Sequence, residues 1–122
     1  MNKLILTVDD SPAIREMLAY VLKSAGHRVV EAEDGMDGLQ KALANSFDLI
    51  ITDQSMPKMD GIEATARIKT NRPGTIVIGI SVNTGDDNGN AMRRAGAAVL
   101  LNKEAAVDDL YRTIQDLLKT NK

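Results

Sequence analysis

The sequence predicts an α/β domain with a five-stranded parallel sheet covered by helices on both faces. Short apolar runs of strand length alternate five times with stretches of helical periodicity, which is the order of elements in a doubly wound parallel sheet. The runs are apolar almost throughout, as in strands that are covered on both faces. Because 122 residues suit one domain of ordinary size, we expect residues 1–122 to form a single domain.

The five apolar runs place the predicted strands. The second run is the least hydrophobic, so we expect that strand to lie at an edge of the sheet. The predicted strands cover residues 3–8, 28–32, 49–53, 76–81 and 98–101.

Five helices are predicted between and after these strands. The first has clear signals at both ends: Ser11 is a good N-cap, Pro12 suits the first helical position, and Gly26 ends the helix. The other four are predicted at residues 36–44, 62–70, 86–95 and 106–119. The segment 85–90 lacks the glycine and glutamate that a calcium loop needs, so we interpret it as a flexible polar loop leading into the fourth helix.

The composition excludes several functional classes. With 15 basic against 17 acidic residues, the chain lacks the basic excess typical of direct nucleic-acid binding. It has no cysteine, and therefore no disulfide or thiolate zinc site. The first predicted strand leaves no room for a signal peptide, and no apolar run is long enough to span a bilayer. These features predict a cytoplasmic protein without a membrane partner.

Polar side chains follow four of the predicted strands at their carboxyl ends. Asp9 and Asp10 follow the first strand, Asp53 ends the third, Ser81 ends the fourth, and Lys103 follows the fifth. Because the carboxyl ends of parallel strands meet at one edge of a sheet, we expect these side chains to form a site there.

Three carboxylates at close quarters repel one another, so their grouping indicates a bound cation. Mg²⁺ is the natural candidate, because it prefers oxygen ligands and often joins carboxylates to a phosphate. Lys103 and Ser81 are suited to contact the phosphate. The nucleophile is then a carboxylate, since the only histidine, His27, is expected at the opposite edge.

Each of these residues also has an ordinary structural explanation. Asp10 suits a helix start on electrostatic grounds, Ser81 suits a local cap, and Lys103 suits a solvated surface. The prediction of a site therefore depends on their combination rather than on any one of them.

Five segments together resemble the receiver (response-regulator) family in its single-domain, CheY-like form. They are LTVDDSPAIR, VVEAEDGMDGL, DLIITDQSMPKMDG, GISVN and LLNK, and the resemblance covers essentially the whole chain. It implies a flavodoxin-like (βα)5 fold with strand order 2-1-3-4-5.

The resemblance also implies a role for each candidate residue. Asp53 is the expected phosphoacceptor, with Ser81 and Lys103 in contact with the phosphoryl group. The expected Mg²⁺ ligands are Asp9, Asp10, Asp53 and the backbone carbonyl of Ser55.

The expected function is a phosphorylation switch. The resemblance implies a sensor histidine kinase as donor, and a downstream protein or a fused output domain reads the altered surface. Such a module catalyses only its own phosphorylation and dephosphorylation, so it is not a conventional enzyme; we expect a monomer or weak dimer. Two alternatives are a receiver-like module that binds partners without phosphorylation and a flavodoxin-like cofactor-binding protein. The complete residue set disfavours the first, and the acidic first loop disfavours the second.

Two positions depart from the family pattern. Glu104 stands where most receivers have proline after the lysine, and Leu100 stands where many have an aromatic residue or histidine. We expect these changes to affect the switch and the lifetime of the phosphorylated state more than phosphorylation itself.

Overall fold

The computed structural model describes residues 3–56, 58–82, 86–103 and 106–120. Strands and helices alternate along the chain as predicted, and each strand boundary lies within one residue of its predicted position. The strands are β1 (Leu4–Val8), β2 (Arg28–Ala32), β3 (Leu49–Asp53), β4 (Ile76–Ser81) and β5 (Val99–Asn102). The helices are α1 (Pro12–Ser24), α2 (Gly35–Ala44), α3 (Gly61–Asn71), α4 (Asp86–Ala95) and α5 (Ala106–Thr120).

The five strands form one parallel sheet in the order β2-β1-β3-β4-β5. This confirms the predicted fold class and the edge position of β2. The strand order reverses at β1, so β1 and β3 are neighbours although β2 lies between them in sequence. A crevice opens at such a reversal, beyond the carboxyl ends of the strands.

Apolar side chains pack on both faces of the sheet, because successive strand residues point to opposite faces. On one face, α2, α3 and α4 contribute Leu39, Ile68 and Met92 to a buried cluster. On the other face, α1 and α5 contribute Leu18 and Ile114. The two layers give the sheet the rigidity that holds its strand ends in place.

The helix starts follow the local sequence. The Ser11 hydroxyl accepts a hydrogen bond from the amide of Ile14 at 3.4 Å, Pro12 occupies the first position, and Gly26 adopts a positive φ just beyond the helix. Helix α4 (Asp86–Ala95) has the bounds predicted for the fourth helix, so the additional interpretation of residues 85–90 as a loop is wrong for residues 86–90. Burial of Met92 on the same helix favours the helix over a loop, despite the low helix propensity of this polar segment.

No helix in the described part of the chain is long and apolar enough to cross a membrane.

A carboxylate cluster at the carboxyl edge of the sheet

Three acidic side chains meet at the carboxyl ends of β1 and β3. One carboxylate oxygen from each of Asp9, Asp10 and Asp53 lies within 4.8 Å of the other two. The carboxylates differ in exposure, because Asp9 and Asp53 are buried whereas Asp10 is exposed. The sheet therefore concentrates negative charge at the point where the strand order reverses.

The register of the sheet brings these residues together. Val8 on β1 lies opposite Thr52 on β3, so the next residues lie at the same level: Asp9 directly follows β1, and Asp53 is the last residue of β3. Asp10 follows Asp9 in the turn that leads into α1. The cluster thus follows directly from the pairing of two adjacent parallel strands.

Lys103 places an ammonium between the two buried carboxylates. Its Nζ donates a hydrogen bond to Asp53 Oδ2 at 3.0 Å and lies 3.2 Å from Asp9 Oδ2. Burial disfavours the charged form of Lys103, but the hydrogen bond to Asp53 and the charges of Asp53 and Asp9 outweigh it and raise the lysine pKa. The backbone amide of Lys103 donates to Ser81 O at 2.9 Å, which fixes the residue to the end of β4.

Asp53 is in an environment that opposes its ionisation. Burial is the main cause that raises its pKa above the ordinary value, and the neighbouring Asp9 adds to it. The hydrogen bond from Lys103 lowers the pKa but does not offset the burial. A weaker contact from the Ser55 amide reaches Asp53 Oδ1 at 3.4 Å.

Asp9 is held more firmly than its neighbours. Its Oδ1 accepts a hydrogen bond from the amide of Ser11 at 2.8 Å, and its own amide donates to Ala32 O at 3.1 Å. Its Oδ2 is fully buried and accepts no hydrogen bond from the part of the chain that the structure describes, although Lys103 lies close to it. A buried carboxylate oxygen without a hydrogen bond is costly, so the approach of Lys103 Nζ to 3.2 Å stabilises it, and a further cation would do the same.

The structure brings Asp9, Asp10, Asp53 and Lys103 into one cluster. Ser81 is buried at the end of β4, on the same edge. Sequence reasoning placed His27 at the opposite edge, and its Nδ1 accepts a hydrogen bond there from the Lys3 amide at 3.2 Å. The predicted role of the Ser55 carbonyl stays a prediction.

The structure describes one of the two departures from the family pattern. Glu104 lies outside the described residues. Leu100 is half-buried, and a methyl group added at Gly79 on the neighbouring strand would lie 2.9 Å from its Cδ1 and 2.6 Å from the Met92 side chain. Leu100 therefore packs tightly against β4 and α4.

Sequence reasoning missed two residues that shape the cluster. Gly61 begins α3, its amide donates to Gln54 O at 2.7 Å, and a Cβ there would collide with the carbonyl oxygen of Asp53. Arg15 on α1 donates from Nη1 to the carbonyl oxygen of Asp9 at 2.6 Å. Both residues stand at the ends of segments that carry the family resemblance, Gly61 in the MDG segment and Arg15 in LTVDDSPAIR, but the sequence alone does not show which backbone group the arginine contacts.

The cluster fits a small divalent cation. Its donors are carboxylate oxygens, the ligands that Mg²⁺ prefers, and one of them comes from Asp9, whose Oδ2 accepts no hydrogen bond from the described residues. A cation among the carboxylates would relieve the repulsion from Asp9, which adds to the effect of burial in raising the pKa of Asp53.

Comparison with known proteins gives a consistent result. A family model described as "Response regulator receiver domain" matches residues 5–115. The chain is 35% identical over 115 residues to the transcriptional regulatory protein GlrR of Escherichia coli, covering 94% of this chain but 26% of GlrR. The chain thus spans about a quarter of that relative.

Two solved structures are similar along nearly their whole length. A CheY-like response regulator receiver domain protein from Methanospirillum hungatei has a TM-score of 0.93 and 29% identity, covering 99% of this chain and 97% of that one. The response regulator TrrA of Thermotoga maritima, solved in complex with Mg²⁺ and BeF, has a TM-score of 0.83 and 30% identity, covering 94% and 98%.

Proposed function

Because this chain belongs to the response regulator receiver family, we propose that Asp53 accepts a phosphoryl group from the phosphohistidine of a sensor histidine kinase. The observation that carries the proposal is the buried Asp53 carboxylate, which shares one cluster with two further carboxylates and a lysine. In the proposed transfer, an Asp53 oxygen forms a bond to phosphorus as the phosphorus–nitrogen bond breaks. The kinase imidazole keeps the electron pair of that bond and takes up a proton.

The surrounding residues have separate proposed roles. Lys103, 3.0 Å from Asp53 Oδ2, neutralises charge on the phosphoryl oxygens, and the Ser81 hydroxyl donates a hydrogen bond to one of them. Burial of Asp53 limits access of water to the reacting carboxylate. The rigid ends of β3 and β4 hold these groups in place without a large rearrangement.

The proposed metal ligands are the carboxylates of Asp9, Asp10 and Asp53 and the backbone carbonyl of Ser55. Bound Mg²⁺ would supply positive charge for the phosphoryl oxygens. This proposal is supported by the spacing of the carboxylates and by the Mg²⁺ and BeF complex of TrrA. Asp9 contributes a buried, pre-oriented oxygen, and Asp10 contributes an exposed one that is accessible to water.

Receiver domains work with histidine kinases and output domains, and relatives of this chain include both kinds of protein. We propose that residues 1–122 form one receiver domain whose phosphorylation shifts a two-state equilibrium. A downstream protein or a fused output domain then reads the altered surface. On this proposal the domain promotes only its own phosphorylation and dephosphorylation.

The test is chemical phosphorylation followed by mass spectrometry. Incubation with acetyl phosphate or phosphoramidate and Mg²⁺ should add one phosphoryl group, and Asp53→Asn should abolish the addition. Asp48→Asn is a matched control, because Asp48 lies at the opposite end of the same strand and accepts a hydrogen bond from the Leu4 amide. A phosphoryl group that persists in Asp53→Asn would overturn the assignment of the acceptor.

The same assay tests the metal. Removal of Mg²⁺ with EDTA should stop the reaction, and Asp9→Ala or Asp10→Ala should raise the Mg²⁺ concentration needed for it. An unmodified wild-type chain in saturating Mg²⁺ and phosphodonor would instead favour a receiver-like module that binds partners without phosphorylation.

A further inference from the structure

Arg15 connects helix α1 to the backbone of the carboxylate cluster. Its Nη1 donates to the carbonyl oxygen of Asp9 at 2.6 Å. Only 17% of the Arg15 side chain is exposed, so the guanidinium is held in place rather than free in solvent. A short hydrogen bond from a charged donor is among the stronger contacts that a backbone carbonyl can make.

The Asp9 carbonyl belongs to the peptide group that joins Asp9 to Asp10. Asp9 itself is already fixed, because its amide donates a hydrogen bond to Ala32 O and its Oδ1 accepts one from the Ser11 amide. Because the peptide group is planar, a donor that fixes its carbonyl also fixes the direction in which the chain continues to Asp10. Arg15 therefore acts on the relative placement of the two acidic side chains.

The other end of the guanidinium is anchored on the edge strand. Arg15 Nε lies 3.5 Å from Glu31 Oε1 on β2. The Glu31 side chain is 41% exposed, so this ion pair contributes little to stability. Its effect is directional, because it orients the planar guanidinium so that Nη1 points at the Asp9 carbonyl.

We propose that Arg15, oriented by Glu31, is a positioning residue for the divalent cation at Asp9 and Asp10. This inference rests on the proposed function. Mg²⁺ demands nearly ideal octahedral geometry with oxygens at about 2.1 Å, so a small error in the relative placement of two carboxylates weakens binding. Residues that orient metal ligands commonly have such an effect.

Simple electrostatics predicts the opposite result. The Arg15 guanidinium carries a positive charge close to the cluster, so its removal should tighten cation binding if charge alone mattered. If Arg15 instead positions the metal ligands, its removal should weaken cation binding. The sign of the change in Mg²⁺ affinity therefore separates the two explanations.

The experiment is a Mg²⁺ titration of the whole chain, followed through the amide NMR signals near the cluster. Arg15→Ala should raise the dissociation constant for Mg²⁺ about tenfold, at the lower end of the range for residues that orient metal ligands. Arg15→Lys retains the charge but not the planar fork and should also bind more weakly. Glu31→Gln should give a smaller change in the same direction.

Lys41→Ala is the matched control. Lys41 also holds β2, because its Nζ donates to the Glu31 carbonyl oxygen at 2.6 Å, but it pairs with Asp37 rather than with the cluster. Its removal takes away the same charge from a helix residue that contacts the same strand, and Mg²⁺ affinity should stay unchanged. An equal loss in Lys41→Ala and Arg15→Ala would overturn the proposal, because it would reflect general weakening of the edge strand.

Unchanged or tighter binding in both Arg15 variants, with wild-type phosphorylation of Asp53, would overturn this inference and leave the proposed function intact. A wild-type chain whose amide signals do not respond to Mg²⁺ would overturn both. If Arg15→Ala fails to fold, Arg15→Lys and Glu31→Gln decide the outcome, because both retain most of the side-chain packing.

Discussion

The amino and carboxyl edges of the sheet both carry charged side chains, but the two edges use them differently. At the amino edge the charged side chains form hydrogen bonds with nearby backbone groups. Asp48 Oδ2 accepts from the Leu4 amide at 2.9 Å, and Arg72 donates to the carbonyl oxygens of Ala42 and Leu43 at the end of α2. The His27 ring accepts from the Lys3 amide, and its pKa is lowered, chiefly by burial. These contacts close strand and helix ends.

At the carboxyl edge the charged groups face one another. Asp9, Asp10 and Asp53 share a small volume with Lys103, and one Asp9 oxygen accepts no hydrogen bond from the described residues. Such an arrangement costs stability unless a further positive group arrives. The comparison supports the proposal that the carboxyl edge carries the reactive groups, whereas the amino edge maintains the fold.

Alanine substitutions at Gly61 and Gly74 test the comparison of the two edges, and Gly61→Ala has the largest expected effect on stability. A Cβ at Gly61 would collide with the Asp53 carbonyl oxygen, whereas a Cβ at Gly74, between α3 and β4, meets nothing within 4 Å. Gly61→Ala should therefore lower the free energy of unfolding by about 3 kcal/mol, because backbone must move. Gly74→Ala should change it by less than about 1 kcal/mol, in the stabilising direction.

Urea unfolding measures both changes, and chemical phosphorylation tests the site in parallel. We expect Gly61→Ala to slow phosphorylation as well, since it displaces the backbone of the acceptor. A wild-type stability for Gly61→Ala would show that the approach of α3 to Asp53 is not tight.

Arg72 and Lys103 provide one cation from each edge. Arg72→Ala removes hydrogen bonds to Ala42, Leu43 and the Ser46 hydroxyl, and should cost about 1–3 kcal/mol of stability with phosphorylation unaffected. Lys103→Ala should remain folded in millimolar Mg²⁺, yet be phosphorylated roughly 100-fold more slowly, the usual cost of removing one charge-stabilising donor.

Unfolding midpoints and phosphorylation rates of the two variants separate the edges. The comparison is contradicted if Arg72→Ala slows phosphorylation and Lys103→Ala lowers stability instead. If Lys103→Ala unfolded in the presence of Mg²⁺, Lys103 would be a structural ion-pair residue.

Much of the fold followed from the sequence because local signals and burial agree. The strands buried on both faces, such as β3 and β4, read as continuous apolar runs, and Ser11, Pro12 and Gly26 marked the bounds of α1. The fourth helix was predicted with its observed bounds, but the segment 85–90 was also interpreted as a loop because its glycines, aspartates and asparagines favour one. The helix that includes residues 86–90 is fixed by packing, since Met92 is fully buried on the same helix.

The candidate cluster was also accessible from the sequence, because parallel strands place their carboxyl ends together. Contacts that depend on side-chain direction were not accessible. Arg15 reads as an ordinary polar helix residue, and only the three-dimensional path of α1 brings it to the Asp9 carbonyl. Its partner Glu31 lies on strand β2 rather than on α1, so no helical spacing in the sequence joins the two.

The smallest expected effect is the change in the free energy of unfolding when the buried Asp53 carboxylate is removed from the carboxyl edge. The pKa of Asp53 is raised in the folded state, chiefly by burial, so ionised Asp53 destabilises the fold at neutral pH. Asp53→Asn should therefore raise the free energy of unfolding in EDTA by about 0.5–2 kcal/mol, the usual range for a stabilising single substitution. The carboxamide oxygen that this substitution introduces can still accept a hydrogen bond from Lys103.

The pH dependence follows from the same shift. The penalty from Asp53 is complete above its folded-state pKa and disappears as the pH falls towards the ordinary value of 3.8, because folded Asp53 takes up its proton first. The advantage of Asp53→Asn should shrink over that interval, and also in saturating Mg²⁺, which stabilises only the chain that binds it. Asp48→Asn weakens a hydrogen bond at the amino edge and should give no gain in the free energy of unfolding. Urea titrations across this pH range are decisive: a less stable Asp53→Asn at neutral pH in EDTA would show that Lys103 fully compensates the buried acceptor.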